Sequence, residues 1–385
     1  MDFALSEEQR MFRDMFRNFA AKEVAPRAEE IDHAESLPKE LLRKMVDQGF
    51  LGATIPEDYA GAALDNVSYV LLLENLATAC ASLAVTVATH VSLVAMSILE
   101  SGTDAQKEEW LPAMAAGEAI GAFALSEPDA GSDMLALETR AVPDGEEVIL
   151  DGVKTWVANG ELAGLFLVFA RGPQGIDAYL VPRDTPGLTV GYREPTLGLR
   201  SVYFNTVYLE GCRVPQANRL GAPGEGATIA KRAVDRMAVA LAAVGLGLAE
   251  SSVDVAAQYA TERVQFGVPI GKKQAIQNYI ANAYAETEAL RYLVYRAAWL
   301  MDQGEDFSVD ASVAKAFGAR IARSVTNWML QVLGGYGFME DYPMARKYRD
   351  ARVLGIIGGP TEVHAFRVAR HVLAQKDLEI VPRHQ

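Results

Sequence analysis

The sequence predicts an α+β chain in three parts: an N-terminal helical domain, a middle β-domain and a C-terminal four-helix bundle. Three observations predict it. Eight of the sixteen prolines crowd between Pro128 and Pro223, among short β-prone runs. No proline interrupts the Ala/Leu/Val-rich stretches from Pro223 to Pro269 or from Pro269 to Pro343. Helix-start signals with apolar periodicity mark the first 120 or so residues. Helices, then strands, then helices rule out one doubly wound sheet.

Each part has its own markers. Ser6-Glu7-Glu8-Gln9 reads as a capping box ahead of an apolar face of Phe12, Phe16, Phe19 and Ala20. Thr103 and Gln106 repeat the signal before Trp110, Leu111 and Met114. These give a helical domain over 1–120. In the middle, Val148–Leu150, Val153–Val157, Leu165–Phe169, Ala178–Val181 and Thr206–Leu209 alternate with turn residues, which predicts a β-domain over 121–225. Beyond it, helices are expected near 226–261, 273–303, 308–334 and 361–375, within a domain of 226–385.

Bulk properties exclude several functions. The chain has 385 residues, with 50 acidic against 36 basic and a net charge of −14. That balance opposes general affinity for nucleic acid or anionic membrane. Cys80 and Cys212 sit in unrelated contexts, and the five histidines form no metal-ligand spacing. No metal site is expected. The most apolar stretch, about 67–99, carries Glu74, Asn75, Thr78, Ser82, Thr86 and His90. Buried helices are expected there rather than a membrane span. The opening Met1-Asp2-Phe3-Ala4 does not read as a signal peptide, so a cytoplasmic location is expected.

Five short segments carry the chemistry. The turn Leu125-Ser126-Glu127-Pro128-Asp129-Ala130-Gly131-Ser132-Asp133 offers hydroxyls and backbone N–H groups to a flavin or phosphate. By itself it is also ordinary turn chemistry. Lys154-Thr155-Trp156-Val157-Ala158-Asn159-Gly160 puts an indole on a strand, fit for core packing or for stacking on a ring. Arg263-Val264-Gln265-Phe266-Gly267, followed by Gln274, supplies a charged fork suited to pyrophosphate. Gln331-Val332-Leu333-Gly334-Gly335-Tyr336-Gly337 permits close backbone approach, or simply a helix end. Arg349-Asp350-Ala351-Arg352 leads to Gly358-Gly359-Pro360-Thr361-Glu362.

In this order and spacing the segments resemble the acyl-CoA dehydrogenase family across nearly the whole chain. The resemblance implies an acyl-CoA dehydrogenase-like fold, FAD as cofactor, and an acyl-CoA or acyl-carrier thioester as substrate. It implies a tetramer, expected here as a homotetramer (a dimer of dimers), because the arginine and Gln/Gly segments grip the ADP half of FAD on a neighbouring subunit. An electron-transfer flavoprotein is a further expected partner. Carried over by position, the cofactor residues are Leu125, Ser126, Gly131, Ser132, Trp156, Ala158, Arg263, Phe266, Gln274, Gln331, Gly334, Gly335, Thr361 and Glu362. Substrate contacts are expected from Ser132, Tyr203, Met237, Tyr336 and Gly358.

The chain departs from the family at the catalytic base. Proton abstraction α to a thioester needs a carboxylate near that carbon. In most members it opens an E-G-T segment, a position held here by Gly358. In another branch it lies on the long helix 26 residues before the R-x-x-F-G arginine, and position 237 is Met237. The usual neighbouring arginine is Ala238, and the threonine that reaches flavin N5 is Ala158. The family's R-x-S-x-T turn reads Arg200-Ser201-Val202-Tyr203-Phe204, which places two aromatics near the acyl-CoA entrance. Asp235 lies about 200° round the helix from Met237, and Glu362 about one turn past Gly358. The catalytic residue is therefore open. Other readings are a desulfinase-like lyase, a carrier-protein-bound substrate, an oxidation at a heteroatom-bearing carbon that needs no strong carbon-acid base, a non-catalytic FAD-binding partner subunit, or a flavin monooxygenase such as an N-hydroxylase. Leu83 stands where the desulfinases carry a sulfinate-binding arginine.

Overall fold

A computed structural model describes residues 4–376; the N-terminal tripeptide and the last nine residues of the expected third domain lie outside the described residues. The helices are α1 (Glu7–Phe19), α2 (Ala28–Ala34), α3 (Lys39–Asp47), α4 (Asn66–Ala79), α5 (Ala81–Ala88), α6 (Met96–Ser101) and α7 (Asp104–Ala115). The strands β1 (Gly121–Ala124), β2 (Arg140–Asp144), β3 (Glu147–Val157), β4 (Leu165–Gly172), β5 (Gly175–Pro182), β6 (Leu188–Arg193), β7 (Asn205–Pro215) and β8 (Arg219–Leu220) follow. The chain closes with α8 (Gly226–Glu262), the small hairpin β9 (Val264–Gln265) and β10 (Val268–Pro269), then α9 (Gln274–Asp302), α10 (Ser308–Leu333), α11 (Gly335–Phe338), α12 (Pro343–Val353) and α13 (Thr361–Ala374).

Both expected capping boxes are present, at Ser6/Gln9 and Thr103/Gln106. Phe16 and Phe19 meet Phe50 edge-on, with ring centroids 5.5 and 4.9 Å apart. The stretch 66–95 is buried almost throughout. Two helical stretches, Ala81–Ser101 and Gly226–Glu262, are long and apolar enough to cross a membrane, but 89% and 83% of their apolar windows are buried inside the fold. They are core helices here. α8 approaches α4 closely because Gly247 leaves room: a Cβ there would lie 2.1 Å from the Glu74 carbonyl oxygen.

The sheet runs in the order β6-β7-β3-β2-β4-β5-β8, with β1 parallel to β4. Its long central strands are those read from the sequence. Four short ones were not anticipated. β1 is Gly-Ala-Phe-Ala, with no β-branched residue, and β2 is Arg-Ala-Val-Pro-Asp, with Pro143 inside it. Both are strands because neighbours pair with them, against weak local preference. Two π-helical turns, Ala20–Val24 and Thr89–Ala95, also carry no sequence signal.

Candidate functional site

A buried ion pair builds the strand side of the site. Lys154 on β3 is fully enclosed, its Nζ 2.7 Å from Glu127 Oε1 and 3.1 Å from the Leu125 carbonyl oxygen. Glu127 also accepts from the Glu138 N–H at 2.6 Å, the Thr139 N–H at 3.0 Å and the Thr139 hydroxyl. The Thr155 N–H donates to the Ser126 carbonyl at 2.9 Å. The turn 125–139 is thus stitched to β3. Burial pushes Lys154 down to about 8, against the pull of Glu127. Burial would raise Glu127, but the Glu138 N–H, Lys154 and Thr139 together hold it below its usual value. Both motifs stand out in the sequence, but their pairing does not. Its signal was one opposite charge in each segment.

The clasp presents Trp156. Pairing of β3 with β7 slips between Lys154/Val207 and Val157/Asn205, and Trp156 sits in that irregularity at φ +53°. A bulky residue seldom adopts this left-handed backbone. The indole is 57% exposed, so it packs little within this chain. Asn159 fixes the next turn, donating to the Thr86 carbonyl at 3.0 Å and the Gly121 carbonyl at 3.2 Å. Ala158 lies half-buried between them, while Ser126 is half-buried and Gly131 and Ser132 are exposed nearby in sequence. A strained, exposed indole beside a hydroxyl-bearing turn fits a flavin ring.

Gly358 and Met237, the two positions where the sequence leads one to expect a base, meet. Gly358 has φ +64°, and a Cβ there would lie 2.5 Å from Leu241 Cδ1 and 3.6 Å from Met237 Cγ. Met237 is 4% exposed. Neither position carries a carboxylate, and Leu241 crowds the place a side chain at 358 would take. The flanking acids and bases of α8 are engaged elsewhere: Asp235 pairs with Arg367 at 2.5 Å, and Arg236 with Glu100 at 2.5 Å and the Ser92 carbonyl at 2.9 Å. Glu362 is exposed in the first turn of α13, and Thr361, half-buried, precedes it.

Tyr203 does not line an entrance as expected. It is buried, its hydroxyl 2.9 Å from Ser36 Oγ and accepting the Leu37 N–H at 3.0 Å. The aromatic ring fills the junction between the middle and N-terminal parts, with the Arg193 guanidinium 4.5 Å from its centroid.

A second group forms at the far end of α8. Arg263 caps that helix and lies 5.3 Å over the Tyr336 ring, which packs with Tyr259 and Tyr342 at 6.2 and 5.4 Å. Arg263 has no ion-pair partner among the described residues. Phe266, at the tip of the hairpin, is 93% exposed. Gln274 and Gln331 are exposed, and nothing lies within 4 Å of a Cβ built at Gly334 or Gly335. Arg263, Tyr336 and the Gly334–Gly335 turn are brought together; among the described residues no hydrogen bond or ring contact joins them to the Trp156 group.

Comparison with known proteins follows this division. The acyl-CoA dehydrogenase N-terminal domain matches residues 6–118, the middle domain 122–212 and the C-terminal domain 224–373. The short-chain specific acyl-CoA dehydrogenase of Clostridium acetobutylicum is 39% identical over 374 residues, 96% of this chain and 99% of that protein. The structure of butyryl-CoA dehydrogenase from Megasphaera elsdenii superposes with a TM-score of 0.94 at 37% identity, covering 97% of this chain and all of that one. The prolyl acyl carrier protein oxidase AnaB superposes with a TM-score of 0.92 at 29% identity, covering 96% of this chain and all of that one.

Proposed function

We propose a function on this premise: the chain belongs to the acyl-CoA dehydrogenase family. It is a FAD-dependent oxidoreductase of acyl thioesters that works without a carboxylate at either family base position. Bound FAD supplies the two-electron acceptor. Leu125, Ser126, Ser132, Trp156 and Ala158 hold its ring side. Arg263, Phe266, Gln274, Gln331 and the Gly334–Gly335 turn, with Thr361 and Glu362, serve its ADP half across a subunit boundary. A homotetramer is supported by the unpaired Arg263 and by exposed Phe266, Tyr284, Trp299 and Phe338. The domains are 1–120, 121–225 and 226–385. Cytoplasmic location and an electron-transfer flavoprotein partner complete the reading.

The observation that carries it is the meeting of Gly358, Met237 and Leu241 in an apolar group. Abstraction of a weakly acidic α-proton has no obvious acceptor there. Oxidation at a nitrogen-bearing carbon is the reading this favours among substrates. FAD, held by the residues named above, would supply the acceptor for the two electrons, and the lone pair of a neutral substrate nitrogen would close the C=N bond. The proton then lost from nitrogen is acidic enough for water to take. The fold shared with a prolyl acyl carrier protein oxidase supports a carrier-bound substrate of this kind.

Anaerobic titration tests the reading. Purified protein should carry near-stoichiometric FAD. Its flavin should bleach with an aminoacyl- or prolyl-carrier thioester, whereas straight-chain acyl-CoAs should bind and perturb its spectrum but bleach it slowly or not at all. Rapid bleaching by butyryl- or octanoyl-CoA would show that a working base exists. Sulfite release from a sulfinated acyl-CoA would favour the lyase alternative, and a flavin inert to every thioester the non-catalytic one.

A further inference from the structure

Behind the Gly358 turn sit two buried titratable side chains that the proposed chemistry does not use. Lys315 on α10 is 1% exposed. Its Nζ donates to the Leu354 carbonyl and lies 3.4 Å from the Gly359 carbonyl oxygen. No carboxylate lies within ion-pair distance of it among the described residues. His364 on α13 places Nε2 3.0 Å from the Gly358 carbonyl oxygen and Nδ1 3.3 Å from Ser312 Oγ. A carbonyl only accepts, so the ring carries its proton on Nε2. Burial pushes His364 down to about 4, so it is neutral in this role.

These contacts account for the turn's shape. Gly358 and Gly359 are consecutively left-handed, at φ +64° and +89°. Their carbonyls face α10 and α13, into His364 and Lys315. Neither peptide N–H makes a hydrogen bond of ordinary length and angle among the described residues, although a weak turn contact closes on the Gly359 N–H. The peptide joining the two glycines has its carbonyl held by His364, which strengthens its N–H as a donor. A Cβ at Gly359 would lie 2.9 Å from His364 Nε2, so glycine at 359 leaves room for the histidine to reach the turn.

We propose that Lys315 and His364 are positioning residues: they hold the carbonyls of Leu354, Gly358 and Gly359 from behind and so set how the turn's N–H groups meet a bound thioester. This rests on the thioester reading above. It assigns the buried lysine a task that a methionine of similar length cannot perform.

The test uses FAD-loaded protein, with butyryl-CoA as the probe and two readouts. Hydrogen exchange follows the amides of residues 354–360. The flavin spectrum follows butyryl-CoA binding, which needs no turnover. In His364→Leu and Lys315→Met, exchange across the turn should rise at least tenfold, and half-saturation should need at least tenfold more butyryl-CoA. FAD content should stay unchanged. His364→Gln keeps an N–H donor and should retain wild-type behaviour on both. Wild-type exchange and response in both Leu and Met variants would overturn the inference. So would faster exchange with an unchanged response, because the residues would then be structural only. A wild-type protein that holds FAD yet gives no response to any thioester would overturn the functional reading instead, and the exchange comparison would then decide the turn by itself.

Discussion

Two lysines are buried beside the site, and they are buried differently. Lys154, on the strand that carries Trp156, meets a carboxylate 2.7 Å away. Lys315, behind the Gly358 turn, meets only carbonyls. Burial lowers the paired lysine to about 8 and the unpaired one to about 7. The difference follows the partner: Glu127 stabilises the ammonium form, whereas carbonyl dipoles compensate less of the lost hydration. On the strand side the charges are complete and lock the turn 125–139 to the strand that presents Trp156. On the turn side neither Gly358 nor Met237, the proposed base positions, offers a carboxylate, and the buried polar groups hold backbone. The first region looks built to hold; the second is built without an obvious acid or base.

The largest expected effect breaks the strand-side pair. Lys154→Met leaves Glu127 buried with a charge and no cation, which should cost about 3–5 kcal/mol. Urea unfolding of the apo-protein should show it, together with loss of FAD on gel filtration. A loss below about 1 kcal/mol would mean that the backbone donors from Glu138 and Thr139 carry Glu127 alone. The comparison would then dissolve.

A second effect sharpens the comparison through pH. A lysine with a lowered folded value binds fewer protons folded than unfolded between that value and the usual 10.5. Stability therefore rises with pH across the window and is lost as pH falls towards the folded value. For Lys315 the window opens at about 7. Lys347, also buried, behaves alike, with a value of about 7 set by burial and then by Arg346. Lys315→Met should remove one such contribution, lowering the slope of stability by about 1 kcal/mol per pH unit between roughly pH 7.5 and 8.5. Parallel slopes in wild type and variant, from denaturant midpoints across that range, would place the Lys315 value well above 8. Carbonyls would then compensate burial as well as a carboxylate does.

Much of this was legible in the sequence, for reasons that differ by residue. The long helices were visible because proline and glycine punctuate them, and the capping boxes fixed two starts within a residue. The vacated positions Gly358 and Met237 were readable separately, but their contact required the fold, because 121 positions of chain separate them. Leu241, which crowds the Cβ position of Gly358, reads in the sequence as any apolar helix residue. Lys315 lies in an unremarkable stretch, Ser-Val-Ala-Lys-Ala-Phe, whose burial depends on α12 and α13 arriving later in the chain. Tyr203 was misplaced because an aromatic in a polar turn reads equally as a pocket wall or as a wedge between domains. Its hydroxyl bonds to residues 36 and 37 decide for the wedge.

The smallest effect probes the strand side from the opposite direction. Trp156 pays for its left-handed backbone in every molecule, with or without cofactor. Glycine adopts φ +53° freely, so Trp156→Gly relieves strain of order 1–3 kcal/mol. It also loses the packing of an indole that is 57% exposed and loosens the unfolded chain, by about 1 kcal/mol together with the entropy term. The balance should leave the apo-protein within about 1 kcal/mol of wild type, or slightly more stable, while FAD retention falls sharply. Stability and cofactor binding would then move independently at one residue. That is the mark of a side chain placed for a ligand rather than for the core. A fall in apo-stability of 2 kcal/mol or more would show that the indole packs within its own chain, and the strained backbone would then be a consequence of packing.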